Sequence, residues 1–174
     1  VILCGGMGQR ISSETKNKPK PLIKIGKLPI LEHIMNIYFG FGYNNFYLLL
    51  GYKGNQIKKY FKNKKKYNIT YIQTGLKTGT AGRLFKMKKY LKKNENFYLT
   101  YGDGLTNQNI NNLMSLHLKM KKICTMTIVR PPARFGEVKL NNSYIVGYKE
   151  KWRPDSGWIN GGFMVCEPEV LDLI

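Results

Sequence analysis

Residues 1–10 read Val1-Ile2-Leu3-Cys4-Gly5-Gly6-Met7-Gly8-Gln9-Arg10. Four apolar residues that run straight into a glycine cluster describe a buried strand emptying into a loop. Such a strand is apolar on both faces, as in a parallel sheet covered by helices on both sides. Glycines at its end let backbone N–H groups close around an anion.

Working outward, the same alternation continues. The spacing predicts further strands over 46–50, 69–73, 97–101 and 124–129. Helices are predicted over 29–42, 55–63, 81–92 and 110–121. In the first helix Pro29 suits an opening turn, Ile30, Ile34, Ile37 and Tyr38 form one apolar face, and Gly40 and Gly42 stop it. Alternating strands and helices imply βαβ crossovers and a mainly parallel sheet. After Val129 the style changes. Residues 138–140 and 145–149 flank Asn141-Asn142-Ser143 as a hairpin, and 159–166 form a last strand containing Gly161-Gly162. The expected fold is α/β, with a Rossmann-like doubly wound sheet and an added β-hairpin. The 174 residues are expected to form a single domain of a longer protein, truncated at both ends.

Composition narrows the function classes. Lys and Arg number 29 against 10 Asp and Glu, a formal charge of +19. Only Arg10, Arg83, Arg130, Arg134 and Arg153 are arginines, and the lysines fall on predicted helices between apolar positions. That is the pattern of a solvated helix face, able to steer anionic small molecules. Nothing matches a nucleic-acid-binding motif, so no nucleic-acid partner is expected. No run approaches the roughly 18 apolar residues of a membrane span, and no signal-peptide pattern opens the chain. Cys4, Cys124 and Cys166 lack CxxC spacing, which argues against a disulfide scaffold or a zinc site and for a reduced, cytoplasmic setting.

Three loops at predicted strand ends carry possible chemistry, since ligands of open α/β sheets bind there. The first is the glycine loop with Gly5, Gly6, Gly8 and Arg10. It is neither a Walker loop nor a dinucleotide fingerprint, because no Gly-Lys-Ser/Thr follows and Ile11 replaces the third glycine. The second, Lys18-Pro19-Lys20-Pro21, holds Lys20 between two prolines. The third, Tyr101-Gly102-Asp103-Gly104, offers a carboxylate for Mg²⁺ between glycines. Alone, each is also ordinary turn chemistry; two cations beside a glycine nest are what a polyphosphate requires. Gly136-Glu137, Glu150-Lys151 and Asn160-Gly161-Gly162 add polar groups to the strand-rich half. His33 and His117 have no partner for a hydrolytic triad and read as structural.

In this order, Gly-Gly-x-Gly-x-Arg, Pro19-Lys20-Pro21, Gly102-Asp103-Gly104 and Glu150-Lys151 resemble the sugar-1-phosphate nucleotidyltransferases over essentially the whole chain. Gly51-Tyr52-Lys53-Gly54, Pro131-Pro132-Ala133-Arg134-Phe135-Gly136 and Trp158-Ile159-Asn160-Gly161-Gly162-Phe163 are similar to the branch that transfers cytidylyl groups from CTP to glucose 1-phosphate. Gln9, Cys4, Trp152 and a short stretch over 61–71 depart from that branch, as does Ala81-Gly82-Arg83 in place of two glycines before the arginine.

The resemblance implies Mg²⁺-dependent nucleotidyl transfer from an NTP to a sugar 1-phosphate by a homo-oligomer. Arg10 and Lys20 would stabilise phosphates, Asp103 would hold the metal and Lys151 the sugar phosphate. Gly5, Gly6, Gly8, Gly102 and Arg83 would line the nucleotide, with Thr74 and Gly79 near the base. Tyr101, Gly136, Glu150 and Asn160 would meet the sugar. A second metal-binding aspartate is expected beyond residue 174. The alternatives are transfer of another base to another hexose or heptose phosphate, or a non-catalytic sensor of the same fold.

Overall fold

The computed structural model describes residues 1–7, 17–131, 137–149 and 157–174. The chain divides into two compact units, Val1–Thr125 with Gly162–Ile174, and Met126–Gly161.

In the first unit the opening run forms β1 (Ile2–Cys4). A short hairpin, β2 (Lys24–Ile25) with β3 (Leu28–Pro29), leads into α1 (Ile30–Gly40). Then come β4 (Asn45–Leu50), α2 (Gly54–Phe61), β5 (Asn68–Gln73) and α3 (Thr80–Phe85). β6 (Phe97–Tyr101) and α4 (Ile110–Met120) follow. β7 (Cys124–Val129) and β10 (Ile159–Cys166) run across the unit boundary. The second unit contains the antiparallel hairpin of β8 (Glu137–Asn141) and β9 (Tyr144–Lys149), with Asn142 in the left-handed region at its turn (φ 53°).

The six main strands lie in the order β5-β4-β1-β6-β10-β7. β1 is parallel to β4 and β6, and β4 to β5, while β10 enters antiparallel to β6. The sheet is therefore mainly parallel, as expected. From β1 the chain builds outward through β4 and β5, then returns to β1's other side as β6. That reversal is a topological switch point, where α/β sheets leave a crevice.

Strand periodicity divides the core into two layers. Ile2, Leu48, Leu50, Tyr98, Phe163 and Val165 pack with α1, α2 and α4 on one face. Leu49, Phe97, Leu99, Met164 and Cys166 pack with Leu84, Met87 and Leu171 on the other. Adjacent residues serve opposite layers because side chains alternate across a strand.

All four predicted helices shift at one end or both, and two of the differences have a physical reason. Pro29 stands before α1 as its cap, in extended conformation (φ −62°, ψ 152°), and not inside the first turn. The helix predicted over 81–92 stops at Phe85 and is followed by a 3₁₀ turn, Lys88–Tyr90. Lys86, Lys88, Lys89, Lys92 and Lys93 would stack like charges three and four apart on a continued helix. The tighter turn keeps Met87 fully buried while these lysines remain exposed. The lysines of α2 and of 119–122 are likewise exposed or half-exposed, as read from the sequence.

Candidate active site

β1 and β6 are adjacent and parallel, so their carboxyl ends open on the same rim. A cavity of about 640 Å³ lies there, within the first unit. It gathers Gly5 and Gly6 after β1, Lys20 and Pro21 from the proline-flanked turn, and Gly102 and Asp103 after β6. Residues far apart in the chain meet because the sheet order sets β6 beside β1.

Lys20 is positioned by its prolines. Pro19 is extended (φ −68°, ψ 144°), and the turn Lys20–Leu22 closes through Leu22 N–H to Pro19 O (2.8 Å) and Ile23 N–H to Lys20 O (3.0 Å). The Lys20 ammonium forms an ion pair with the Asp103 carboxylate, the two side chains being 30% and 34% exposed. An accessible carboxylate of this kind is a hard oxygen donor suited to a divalent cation that shares its remaining positions with phosphates and water. Gly102 is tightly enclosed. A Cβ there would lie 3.0 Å from Leu3 O and 3.1 Å from the Pro21 ring, so its neighbours would have to give by a few tenths of an ångström.

Arg83 lies deeper than the sequence implies. Its side chain is held in the wall, and the residue is 6% exposed. Nη2 donates to Gly5 O at 3.0 Å, Nη1 to Gly75 O at 3.0 Å, and Nη1 also to Thr74 Oγ1. Burial lowers the guanidinium pKa from its usual value. Arg83 thus ties the loop after β1 to the loop after β5. Two glycines make room for it: a Cβ on Gly5 would fall 2.0 Å from Nη1, and one on Gly51 2.5 Å from the same atom.

Thr74, expected near the base, is fully buried, and its hydroxyl donates to Leu50 O at 2.6 Å. It organises the wall and does not face the cavity. Gly79 caps α3 on the cavity rim, with open space where a Cβ would be. Tyr101 lines the cavity, half-buried, and one ring edge approaches Gly162. Asn160 belongs to the second unit. Gly8, Arg10, Gly136, Glu150 and Lys151 lie outside the described residues.

Lys77 is a cavity-lining cation that sequence reasoning passed over. Its position between Thr74 and Gly79, both already singled out, was the available signal. Gly51 was quoted only as part of a family segment, and its role for Arg83 has no local signature. The histidines are structural: His33 Nε2 lies 2.9 Å from Ile25 O, and buried His117 pairs through Nδ1 with Thr125 Oγ1 at 2.9 Å. Burial pushes the Cys4 thiol pKa up, so this cysteine lining the cavity stays protonated. Among the described residues no three His, Cys, Asp or Glu side chains form a metal cluster, and no helix is long and apolar enough to cross a membrane.

Residues 1–174 match the family described as nucleotidyl transferase. The chain is 38% identical to glucose-1-phosphate cytidylyltransferase of Salmonella typhimurium over 197 aligned positions, covering 100% of this chain and 77% of that enzyme. It is 31% identical to D-glycero-alpha-D-manno-heptose 1-phosphate guanylyltransferase of Campylobacter jejuni, covering 99% and 77%. The fold superimposes on HddC of Yersinia pseudotuberculosis with a TM-score of 0.74 at 22% identity, covering 99% and 78%. A glycine loop, a proline-held lysine and a carboxylate on one rim, in a chain that matches from its first residue to its last, identify this protein as a member of the nucleotidyl transferase family.

Proposed function

We propose that this protein transfers a cytidylyl group from CTP to glucose 1-phosphate, releasing pyrophosphate. The observation that carries the reading is the 38% identity, over the whole chain, to a Salmonella enzyme of that name. The cavity that joins Gly5, Gly6, Lys20 and Asp103 supports the chemistry.

A phosphate oxygen of the sugar 1-phosphate attacks the α-phosphorus in line, and the bond to the β-phosphate bridging oxygen breaks. The nucleophile needs no general base, because a phosphate monoester has its second pKa near about 6 and is largely ionised at neutral pH. This suits a site whose histidines are both engaged elsewhere. What the protein must supply is alignment and charge neutralisation.

Backbone groups of Gly5, Gly6 and Gly8 would approach the triphosphate. Arg10 would neutralise it together with Lys20, whose ammonium would exchange the Asp103 carboxylate for phosphate oxygens. Asp103 would hold a divalent cation such as Mg²⁺, which when bound offsets phosphate charge. Arg83 would keep the Gly5 carbonyl and the 74–76 loop in place, with Gly79 beside the base. Gly102 would line the nucleotide, and Tyr101, Gly136, Glu150, Lys151 and Asn160 would receive the sugar phosphate.

The alignment to the Salmonella enzyme spans 197 positions against 174 residues here, so that relative carries residues this chain lacks. Base choice is therefore the point to test. Pyrophosphate release by the full-length protein with Mg²⁺ and glucose 1-phosphate is measured with CTP, UTP, dTTP, ATP and GTP in turn. Preference for CTP is expected, with turnover falling at least about 100-fold in Asp103→Asn while the fold persists. Preference for another triphosphate would move the protein to a sister activity. Silence with every triphosphate and sugar phosphate would leave a sensor.

A further inference from the structure

Two of the three cysteines, 42 positions apart in sequence, meet on neighbouring strands outside the cavity. Cys124 opens β7 and Cys166 closes β10; both thiols are free, and their sulfurs are 3.7 Å apart. Glu167 N–H donates to Ile123 O at 2.9 Å. One residue number rises as its partner's falls, so the strands run antiparallel, with Cys124 directly opposite Cys166. Hydrogen-bonded and non-hydrogen-bonded pairs alternate along such a ladder. Ile123 and Glu167 make the hydrogen-bonded pair, which leaves the cysteines in the non-hydrogen-bonded position. Cα atoms in that position are typically about 4.5 Å apart, at the short end of the span a disulfide bridges. Closing the bond brings the sulfurs from 3.7 Å to about 2.05 Å.

We infer that Cys124 and Cys166 are a redox modification site, closed to an intramolecular disulfide by a low-molecular-weight disulfide of the glutathione type. Access orders the steps: Cys124 is exposed, whereas Cys166 is 1% exposed. The Cys124 thiolate attacks the small disulfide, forming a mixed disulfide and releasing one small thiolate. Cys166 then gives up its proton, through water, to the released small thiolate, and its own thiolate attacks the Cys124 sulfur and displaces the second small thiolate, which takes a proton from water. Two protein thiols and one small disulfide become one protein disulfide and two small thiols. Burial pushes the Cys166 thiol pKa up, so the second step quickens as pH rises through neutrality.

The location gives the bond a consequence. The chain leaves the first unit after Thr125 and rejoins it at Gly162. A link from 124 to 166 therefore closes a covalent loop of the chain that includes both crossings.

The full-length protein is incubated with graded ratios of reduced to oxidised glutathione. Free thiols are then alkylated and the peptides mapped without reduction. The expected result is one peptide pair joined through Cys124 and Cys166 of the same molecule, lighter by two hydrogens, with Cys4 still alkylated. Protease cleavage inside 126–161 should leave the two fragments joined until reductant is added. Cys166→Ser should stop at the glutathione adduct on Cys124, and that adduct should close faster in the wild type at higher pH. A persistent adduct on wild-type Cys124, a link between two molecules, or a Cys124 that stays reduced would overturn the assignment. The decisive readout uses the wild-type chain, so it does not depend on a variant folding.

Discussion

Replacing Gly51 by alanine tests the tie that Arg83 makes behind the glycine loop. The added methyl would sit 2.5 Å from Arg83 Nη1, 2.6 Å from Gly5 O and 2.9 Å from Gly5 Cα. The arginine cannot step aside freely, because the same guanidinium holds Gly5 O, Gly75 O and Thr74 Oγ1. Gly5 cannot retreat either; it leaves β1 directly and its carbonyl also accepts Tyr52 N–H at 3.2 Å. Overpacking of this kind costs about 1–3 kcal/mol, and hydrogen bonds to a charged donor are worth about 1.5–3 kcal/mol each when lost. A total near 3 kcal/mol is expected, or a fall in Tm of about 6–12 °C for a chain of this size. Thermal and urea unfolding followed by circular dichroism measure it. Gly6→Ala is the matched control, since a Cβ there meets nothing within 4 Å, and its stability should stay within about 0.5 kcal/mol of wild type. The double variant Gly51→Ala, Arg83→Ala should cost less than the sum of its parts, because removing the guanidinium removes one of the contacts. A Gly51→Ala protein as stable as the Gly6→Ala control would refute the reasoning.

Three further outcomes follow from the packing. Glu32 is 3% exposed, and burial, which would raise its carboxyl pKa, is outweighed by bonds from Lys64 Nζ (2.8 Å) and Tyr60 OH (2.6 Å), which leave it below the usual value. A depressed carboxylate stabilises above its unfolded value, about 4.3, and loses that contribution as pH falls through the folded one. Glu32→Gln should therefore lower stability at neutral pH by about 1–2 kcal/mol and flatten the decline below about pH 4.3; an unchanged acid limb would count against it. Lys121 ends α4 in the left-handed region (φ 48°, ψ 50°). Lys121→Gly should raise Tm by about 2–4 °C, since glycine adopts that conformation without the Cβ penalty. Asn109 caps the same helix by accepting Asn111 N–H at 2.9 Å and Asn112 N–H at 3.2 Å, so Asn109→Ala should cost about 1 kcal/mol in urea unfolding.

Much of the scaffold was legible locally. Val1 to Cys4, Phe46 to Leu50 and Phe97 to Tyr101 are short apolar runs that can only be buried on both faces. Glycines and prolines punctuate the ends of these runs, so the residues alone mark out the loops bearing Gly5, Lys20 and Asp103. These signals lie within a few residues of one another, and backbone sterics and burial act at that range.

The rest depends on which strands become neighbours. β10 enters antiparallel between β6 and β7, and only this insertion sets Cys166 against Cys124. Lys20 meets Asp103 across 83 positions because β6 lies beside β1. The family resemblance implies only that Arg83 lines the nucleotide. Tertiary packing turned its guanidinium onto Gly5, 78 positions away, in a space that only glycine at 5 and 51 leaves open. Residue type and local spacing define which groups are available; sheet order and close packing choose which of them meet.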